Sequence, residues 1–377
     1  MMKTGKLDAQ LLKSNVSGRI QEDIRCQRIS GAAVAVLQRG NVIYEAAFGY
    51  QHPDGREPLR RDAIFRIASM TKPVTAVAIL QLAQRGKLRL EDEVSAYLPQ
   101  YARIPLVSGG YNTVPLRIWH LLTHTSGMEA DADYRETARY QIPRENNRTI
   151  AGAVAYYATL PLPCEPGTRR RYSGRVAFDL LGRIVEVASG MDLAAFVEKE
   201  ILLPCGMVDT TFAPSPAQWQ RVVGMHDYRD GKSVAAETVP GCVVEDCPVT
   251  HPLGGSGLVS TLSDYVKFAQ MLLDKGMTPN GRILEPEWIG QMSAAQLPEE
   301  MMNERVNQGL GVRVITGDGY PWLPPGAFGW SGAYGTHFWV DPVNEITAVY
   351  LKNSRYDGGS GAVTAKHFEE DVFSSIL

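Results

Sequence analysis

The sequence predicts an α+β fold in which an antiparallel sheet is flanked by N- and C-terminal helices and carries an inserted helical subdomain. Three observations lead there. Apolar residues recur at helical spacing at both chain ends. Alternating strand patterns occur near residue 40 and again beyond residue 310. The long stretch between them reads mainly as helix.

Taken in order, Leu11, Leu12, Val16, Ile20 and Ile24 set one apolar stripe along residues 8–25, a first amphipathic helix. Residues 32–38 and 42–49 flank Arg39-Gly40-Asn41, a hairpin signal. Residues 64–68 lead as a strand into a helix that begins at Ser69 and stops at Gly86. Helical patterns follow at 115–124, 148–160, 174–189, 192–201, 261–274 and 285–293. Strand character returns at 310–315, 335–340 and 345–352, punctuated by glycines and Asp341-Pro342, and a helix closes the chain at 367–377. Residues 129–147 and 316–328 read as long surface loops, the kind that form lids or pocket walls.

At 377 residues the chain is long enough for one large core or two subdomain cores. Its 44% hydrophobic and 21% charged residues are those of an ordinary globular protein. A net charge of −3 with both signs interspersed provides neither a nucleic-acid surface nor a polybasic membrane patch. No run approaches the length of a membrane span. The first residues carry no apolar signal core, so a cytoplasmic protein is expected. The five cysteines (Cys26, Cys164, Cys205, Cys242 and Cys247) are scattered and read as reduced thiols, although Cys242 and Cys247 could meet across a short loop.

The motif that carries chemistry is Ser69-Met70-Thr71-Lys72, at the head of an apolar helix. Its spacing puts hydroxyl and amine on one face, one turn apart. A serine alcohol is a weak nucleophile until a base takes its proton. A lysine held in a partly dry setting can lose its own proton and serve as that base. Taken alone, the pair also fits a serine and a solvated lysine on an ordinary helix.

Tyr172-Ser173-Gly174 follows the turn at Glu165-Pro166-Gly167 and precedes an amphipathic run. Facing a cleft, Tyr172 would pass a proton between Ser69 and a leaving group. Packed at the helix start, it would be structural only. In Gly329-Trp330-Ser331-Gly332-Ala333 the small residues let a substrate approach the backbone. The Ala333 N–H, read as lying on an edge strand, would join that of Ser69 as an oxyanion donor. His120 and His124 lack a third metal ligand and read as a hydrogen-bonded structural pair.

Ser69-Met-Thr-Lys72, His120-Leu-Leu-Thr-His124-Thr-Ser-Gly127, Glu165-Pro-Gly167 before Tyr172-Ser173, Gly255-Ser-Gly-Leu-Val-Ser-Thr261 and Trp330-Ser-Gly332 occur in one order. That order resembles the serine β-lactamase and penicillin-binding-protein superfamily. The pattern is most similar to its class C β-lactamase-like branch and the family VIII carboxylesterases within it, from about residue 15 to 375. The resemblance implies a single catalytic domain with an α/β subdomain (about residues 1–85 and 300–377) and a helical one (about 86–299). It implies Ser69 as nucleophile, Lys72 as base, Tyr172 as proton shuttle and the Ser69 and Ala333 amides as oxyanion hole. Such an acyl-serine mechanism calls for no metal or organic cofactor.

Two positions depart from the lactamase pattern. Class C enzymes carry an asparagine two residues after the tyrosine, where this chain has Gly174. They carry Lys-Thr-Gly where this chain has Trp330-Ser331-Gly332. Loss of those hydrogen-bonding groups weakens lactam recognition. Trp-x-Gly is similar to the family VIII esterases, and Trp330 then offers an apolar wall; its other reading is a core anchor beneath the strand. Gly174, Trp330, Ser331 and Gly332 are the expected substrate pocket, and a short-chain ester is the expected small-molecule substrate.

Other readings of the same site are β-lactam hydrolysis, acyl transfer, and cleavage of D-amino-acid amides whose amine would meet Glu129, Asp131 or Asp133. A ligand sensor on the same scaffold is the non-enzymatic reading. Ser331 as the nucleophile of a loosened G-x-S-x-A elbow would need a helix directly after it, where the sequence reads strand and turn. No motif encodes the oligomeric state.

Overall fold

Elements follow the expected string closely in the computed structural model, which describes residues 5–128, 142, 143, 145–238, 243, 251–302, 305–317 and 320–377. Helix α1 (Ala9–Arg25) starts where the Asp8 carboxylate accepts from the Gln10 and Leu11 N–H groups, and it buries Leu12, Val16 and Ile20. Strands β1 (Gly31–Gln38) and β2 (Asn41–Gly49) form the hairpin, turning at Arg39 and Gly40, both at positive φ. β3 (Ile64–Arg66) passes through a 3-10 turn at Ala68–Met70 into α2 (Thr71–Gln84).

The helical stretch comprises α3 (Ile118–Leu122), α4 (Ile150–Tyr157), α5 (Val176–Ser189), α6 (Leu193–Val197), α7 (Leu203–Cys205) and α8 (Pro216–Trp219). A hairpin of β4 (His226–Arg229) and β5 (Lys232–Ala235) follows, then β6 (Val259–Thr261) and α9 (Leu262–Leu273). Next come a two-residue ladder of β7 (Met277–Thr278) and β8 (Gly281–Arg282), and α10 (Pro286–Met292). The chain returns as the meander β9 (Val306–Gln308), β10 (Arg313–Ile315), β11 (Phe328–Ser331), β12 (His337–Asp341) and β13 (Ile346–Leu351), and ends with α11 (Val363–Ser374).

The main sheet has the order β2-β1-β13-β12-β11-β10-β9, with every neighbour antiparallel. Both chain ends therefore meet in one sheet, with Ala33 opposite Leu351 and Ala35 opposite Val349. Strand periodicity makes β1 serve two cores. Ala33, Ala35 and Leu37 face the larger core shared with the helical stretch, whereas Ala32, Val34 and Val36 face a second core under α1 and α11. Helix α9 packs against β13 and β12, so it covers the sheet although it arises amid the helical stretch.

The structure differs from expectation in several places, among them the unforeseen strands β4, β5, β7, β8 and β9. Leu310–Val312 turns rather than pairs, with Gly311 at φ 74°, which confines the strand expected at 310–315 to β10. The closing helix starts at Val363, ahead of residue 367. Alternation alone does not place β11, because Gly329 interrupts it; only the Trp330-Ser331-Gly332 motif reads as strand. With β11 present, Ala333 lies in the β11–β12 turn, and β11 sits between β10 and β12 rather than at a sheet edge. Residues 129–141 and 144 of the expected loop, and Cys242 and Cys247, lie outside the described residues. Among the described residues no helix is long and apolar enough to cross a membrane.

Candidate active site

Helix α2 is buried from Thr71 to Leu82 and packs against α5 at the centre of the larger core. No side chain caps its start. Neighbouring elements fix the entry instead. Thr71 Oγ1 accepts from the Leu258 N–H (3.1 Å), and Tyr265 Oη donates to the Met70 carbonyl (2.7 Å). Ala68 holds φ at 45°, a left-handed conformation costing a non-glycine residue about 1–2 kcal/mol. That turn aims Ser69 into a cavity at the head of the helix.

Lys72 is fully buried, one helical turn beyond Ser69. Its Nζ donates to the carbonyls of Gly174 (2.6 Å) and Gly255 (2.9 Å) and lies 3.3 Å from Ser69 Oγ. The two carbonyls take two of its hydrogens, so its remaining position is aimed at the serine. An ammonium presents a proton there, and an amine presents a lone pair. Tyr172 Oη donates to Ser69 Oγ at 2.7 Å, and Lys72 Nζ stands 5.0 Å from the centre of the tyrosine ring. The structure thus brings Ser69, Lys72 and Tyr172 together.

The cavity has a volume of about 460 Å³, and Tyr172, Trp330, Ser331 and Ala333 line it with Ser69. Gly332 and Gly174 do not line it. The Gly332 N–H donates to the Thr336 carbonyl (2.7 Å), and Gly174 supplies the carbonyl that holds Lys72. Thr336 Oγ1 in turn donates to the Ile67 carbonyl (3.0 Å), tying the β11–β12 turn to the strand exit before Ser69. Among the described residues, neither the Ser69 nor the Ala333 N–H meets a protein acceptor, as an oxyanion site requires.

Trp330 is both wall and anchor: it stacks on His124 (5.7 Å between ring centres) and sits 5.8 Å from Tyr172. His124 Nδ1 accepts from the Ser173 N–H (3.2 Å), and burial beside Lys72 pushes the imidazole well below its ordinary range. His120 Nδ1 accepts from the Arg117 N–H (3.1 Å), and burial brings this ring down to about 4. Each imidazole is thus held by a backbone N–H. Among the described residues no three His, Cys, Asp or Glu side chains converge as a metal would need.

Sequence reading missed a buried relay behind the cavity wall. Ser331 Oγ lies 2.9 Å from His337 Nδ1, and His337 Nε2 lies 3.0 Å from Glu369 Oε1. Glu369 also accepts from Arg313 Nη2 and Tyr320 Oη, each at 2.9 Å. Burial works to raise the Glu369 carboxyl, but these donors, His337 foremost, hold it at about 2. A carboxylate only accepts, so His337 Nε2 carries a hydrogen, and in the neutral ring Nδ1 accepts from Ser331. Strand, turn and strand surround Ser331 where a nucleophile elbow needs strand then helix. Arg170 and Gln308 were missed as well; both line the cavity. No local spacing links residues on β9, β11, β12 and α11, so only the fold could reveal them.

A family profile described as Beta-lactamase matches residues 16–368. Protein Rv1367c of Mycobacterium tuberculosis is 33% identical over 350 residues, covering 86% of this chain and 85% of that protein. Esterase EstB of Burkholderia gladioli is 28% identical over 402 residues, covering 95% and 94%. Among solved structures, EstCE1, described as a hydrolase with promiscuous acyltransferase activity, superposes with a TM-score of 0.82 at 25% identity, covering 97% of this chain and 99% of that one.

Proposed function

This chain belongs to the beta-lactamase family, and we propose that within it the protein is a serine carboxylesterase acting on short-chain esters through an acyl-Ser69 intermediate. The coarser statement, a serine hydrolase of this fold, follows from the family match and the likeness to an esterase. The observation that carries the reading is the pair of contacts on one oxygen: Tyr172 Oη at 2.7 Å and Lys72 Nζ at 3.3 Å from Ser69 Oγ.

In the reactive form Lys72 is an amine. It takes the Ser69 proton as Oγ attacks the ester carbonyl carbon, and the carbonyl oxygen becomes an oxyanion received by the Ser69 and Ala333 N–H groups. Collapse breaks the bond to the alcohol oxygen, which receives a proton through Tyr172 and leaves. Water then attacks the acyl-enzyme by the same proton route in reverse, releasing the acid and free Ser69. The Trp330 wall and the bare Gly174 position favour esters over lactams, whose side-chain amide and ring carboxylate lose the partners expected at those two places. The free thiols of Cys26, Cys164 and Cys205 suit a reducing, cytoplasmic setting.

The test is hydrolysis of p-nitrophenyl acetate, butyrate and octanoate beside a chromogenic cephalosporin. Short esters are expected to turn over fastest and the cephalosporin slowly or not at all. Ser69→Ala is expected to lose about 10³-fold or more of the ester activity. Full turnover in Ser69→Ala removes the assignment, and efficient cephalosporin opening replaces it with a lactamase. Acyl transfer is the second reading, favoured by the likeness to EstCE1; ester formation on adding a primary alcohol reads it out.

A further inference from the structure

Arg170 lines the same cavity, and among the described residues no anion balances its charge. Gln308, buried on β9, determines how it is held. Gln308 Nε2 donates to the carbonyls of Gly309 (3.1 Å) and Val312 (2.9 Å), so its Oε1 has to face the guanidinium. That oxygen accepts from Arg170 Nε (3.2 Å) and Nη2 (3.1 Å). One edge of the fork is thus fixed by a neutral amide. Among the described residues the Nη1/Nη2 edge, which matches a carboxylate with two parallel bonds, meets no acceptor on its outer side.

The surroundings bear on what this edge can receive. Among the described residues no carboxylate pairs with Arg170, and none lines the cavity. The other half-buried cation of the lining, Arg313, is neutralised by Glu369 at 2.9 Å. Lys366, at the exposed rim, adds a second positive charge. Burial depresses the Arg170 guanidinium below its ordinary value, with only Tyr172 acting against it. A partly desolvated cation without a counter-charge is costly, and a ligand anion relieves that cost. The lysine of the lactamase pattern is absent at position 330, but a cation stands on a different wall.

We infer that the ester taken by this site carries a carboxylate, gripped by the Nη1/Nη2 edge of Arg170 while Ser69 attacks the ester carbonyl. The inference rests on the acyl-serine reading above and names its substrate class. Arg170 is here a specificity-determining residue.

Two isosteric pairs test it, one with the charge on the acyl arm and one on the alcohol arm: p-nitrophenyl hydrogen adipate against p-nitrophenyl 6-methylheptanoate, and 4-carboxybenzyl butyrate against 4-isopropylbenzyl butyrate. In at least one pair the acid is expected to have the higher kcat/KM, by roughly 10- to 100-fold, chiefly through KM. Arg170→Met is expected to bring that ratio to within about threefold of unity, and Arg170→Lys to leave an intermediate preference, since a point charge keeps attraction but loses the fork. Neutral partners matching the acids in both pairs, or an unchanged ratio in Arg170→Met, overturns the inference. If the native protein cleaves neither pair, the esterase reading fails separately, and calorimetric titration of Ser69→Ala with adipate then decides. Saturable heat that vanishes when Arg170→Met is added supports the carboxylate site, and absence of heat removes it.

Discussion

Tyr172 has two attachments that one substitution can separate: its hydroxyl bonds to Ser69 at 2.7 Å, and its ring packs edge-on against His124 (4.7 Å). Tyr172→Phe keeps the ring and removes the transferable proton. Its kcat is expected to fall by about 10²–10⁴-fold, while its melting temperature changes little, because the loss of one partly exposed hydrogen bond costs about 1 kcal/mol. Steady-state kinetics beside thermal unfolding checks this. A kcat that survives shows that the proton travels by another route, and a collapsed melting temperature shows that the hydroxyl is structural. Ser69, Lys72 and Tyr172 were legible in the sequence because each sits in a short local motif. Arg170 with Gln308, and Ser331 with His337 and Glu369, were not, since their pairings are made across strands and helices distant in sequence.

The strand β11 and its following turn are the element on which the site depends most and which the sequence disclosed least. Long helices such as α1, α2 and α5 announce themselves through sustained periodicity, whereas a four-residue strand carrying a glycine does not. The turn approaches the Ser69 loop so closely that a Cβ on Gly332 would lie 2.1 Å from Thr336 Oγ1 and 2.4 Å from the Ile67 carbonyl. Gly332→Ala must therefore push the turn away and carry the Ala333 N–H with it. We expect kcat to drop by about 10-fold or more, as for removal or displacement of an oxyanion donor, together with a lower melting temperature. Gly290→Ala is the control: this glycine lies within α10 with nothing near its added Cβ, and the change is expected to leave kcat alone and stabilise by about 0.5–1 kcal/mol. Equal kinetics in both variants would detach the turn from catalysis.

Across the whole molecule, buried histidines set a pH limit on the fold. The string of elements made the two-layered sheet legible, but not which side chains the layers desolvate. His120 on α3 is brought down to about 4, His226 on β4 to about 3, and His124 lies well below its ordinary value, burial being the main cause in each. In the unfolded chain all three titrate near 6.5. As pH falls below that value the unfolded state binds protons that the native state refuses, so stability falls with pH, by up to about 1.4 kcal/mol per pH unit for each histidine. Glu369, held at about 2, keeps its stabilising contribution down to about pH 4.5, where the unfolded carboxyl begins to take up its proton, and loses it from there toward pH 2. Asp341 and Asp371, raised by burial, act in the opposite sense. The melting temperature is thus expected to be nearly flat from pH 8 to 7 and to decline from 6.5 toward 4. His226 isolates the effect. Among the described residues neither of its ring nitrogens has a hydrogen-bond partner, and the charges acting on it are Lys352, which depresses it further, and Asp227, which opposes. His226→Leu deletes one titrating group without orphaning any donor or acceptor. Thermal scans of both proteins at constant ionic strength are expected to diverge only below pH 6.5, the variant with the shallower decline. Parallel curves would mean that His226 takes up its proton in the native state, and that the acid limit lies with other groups.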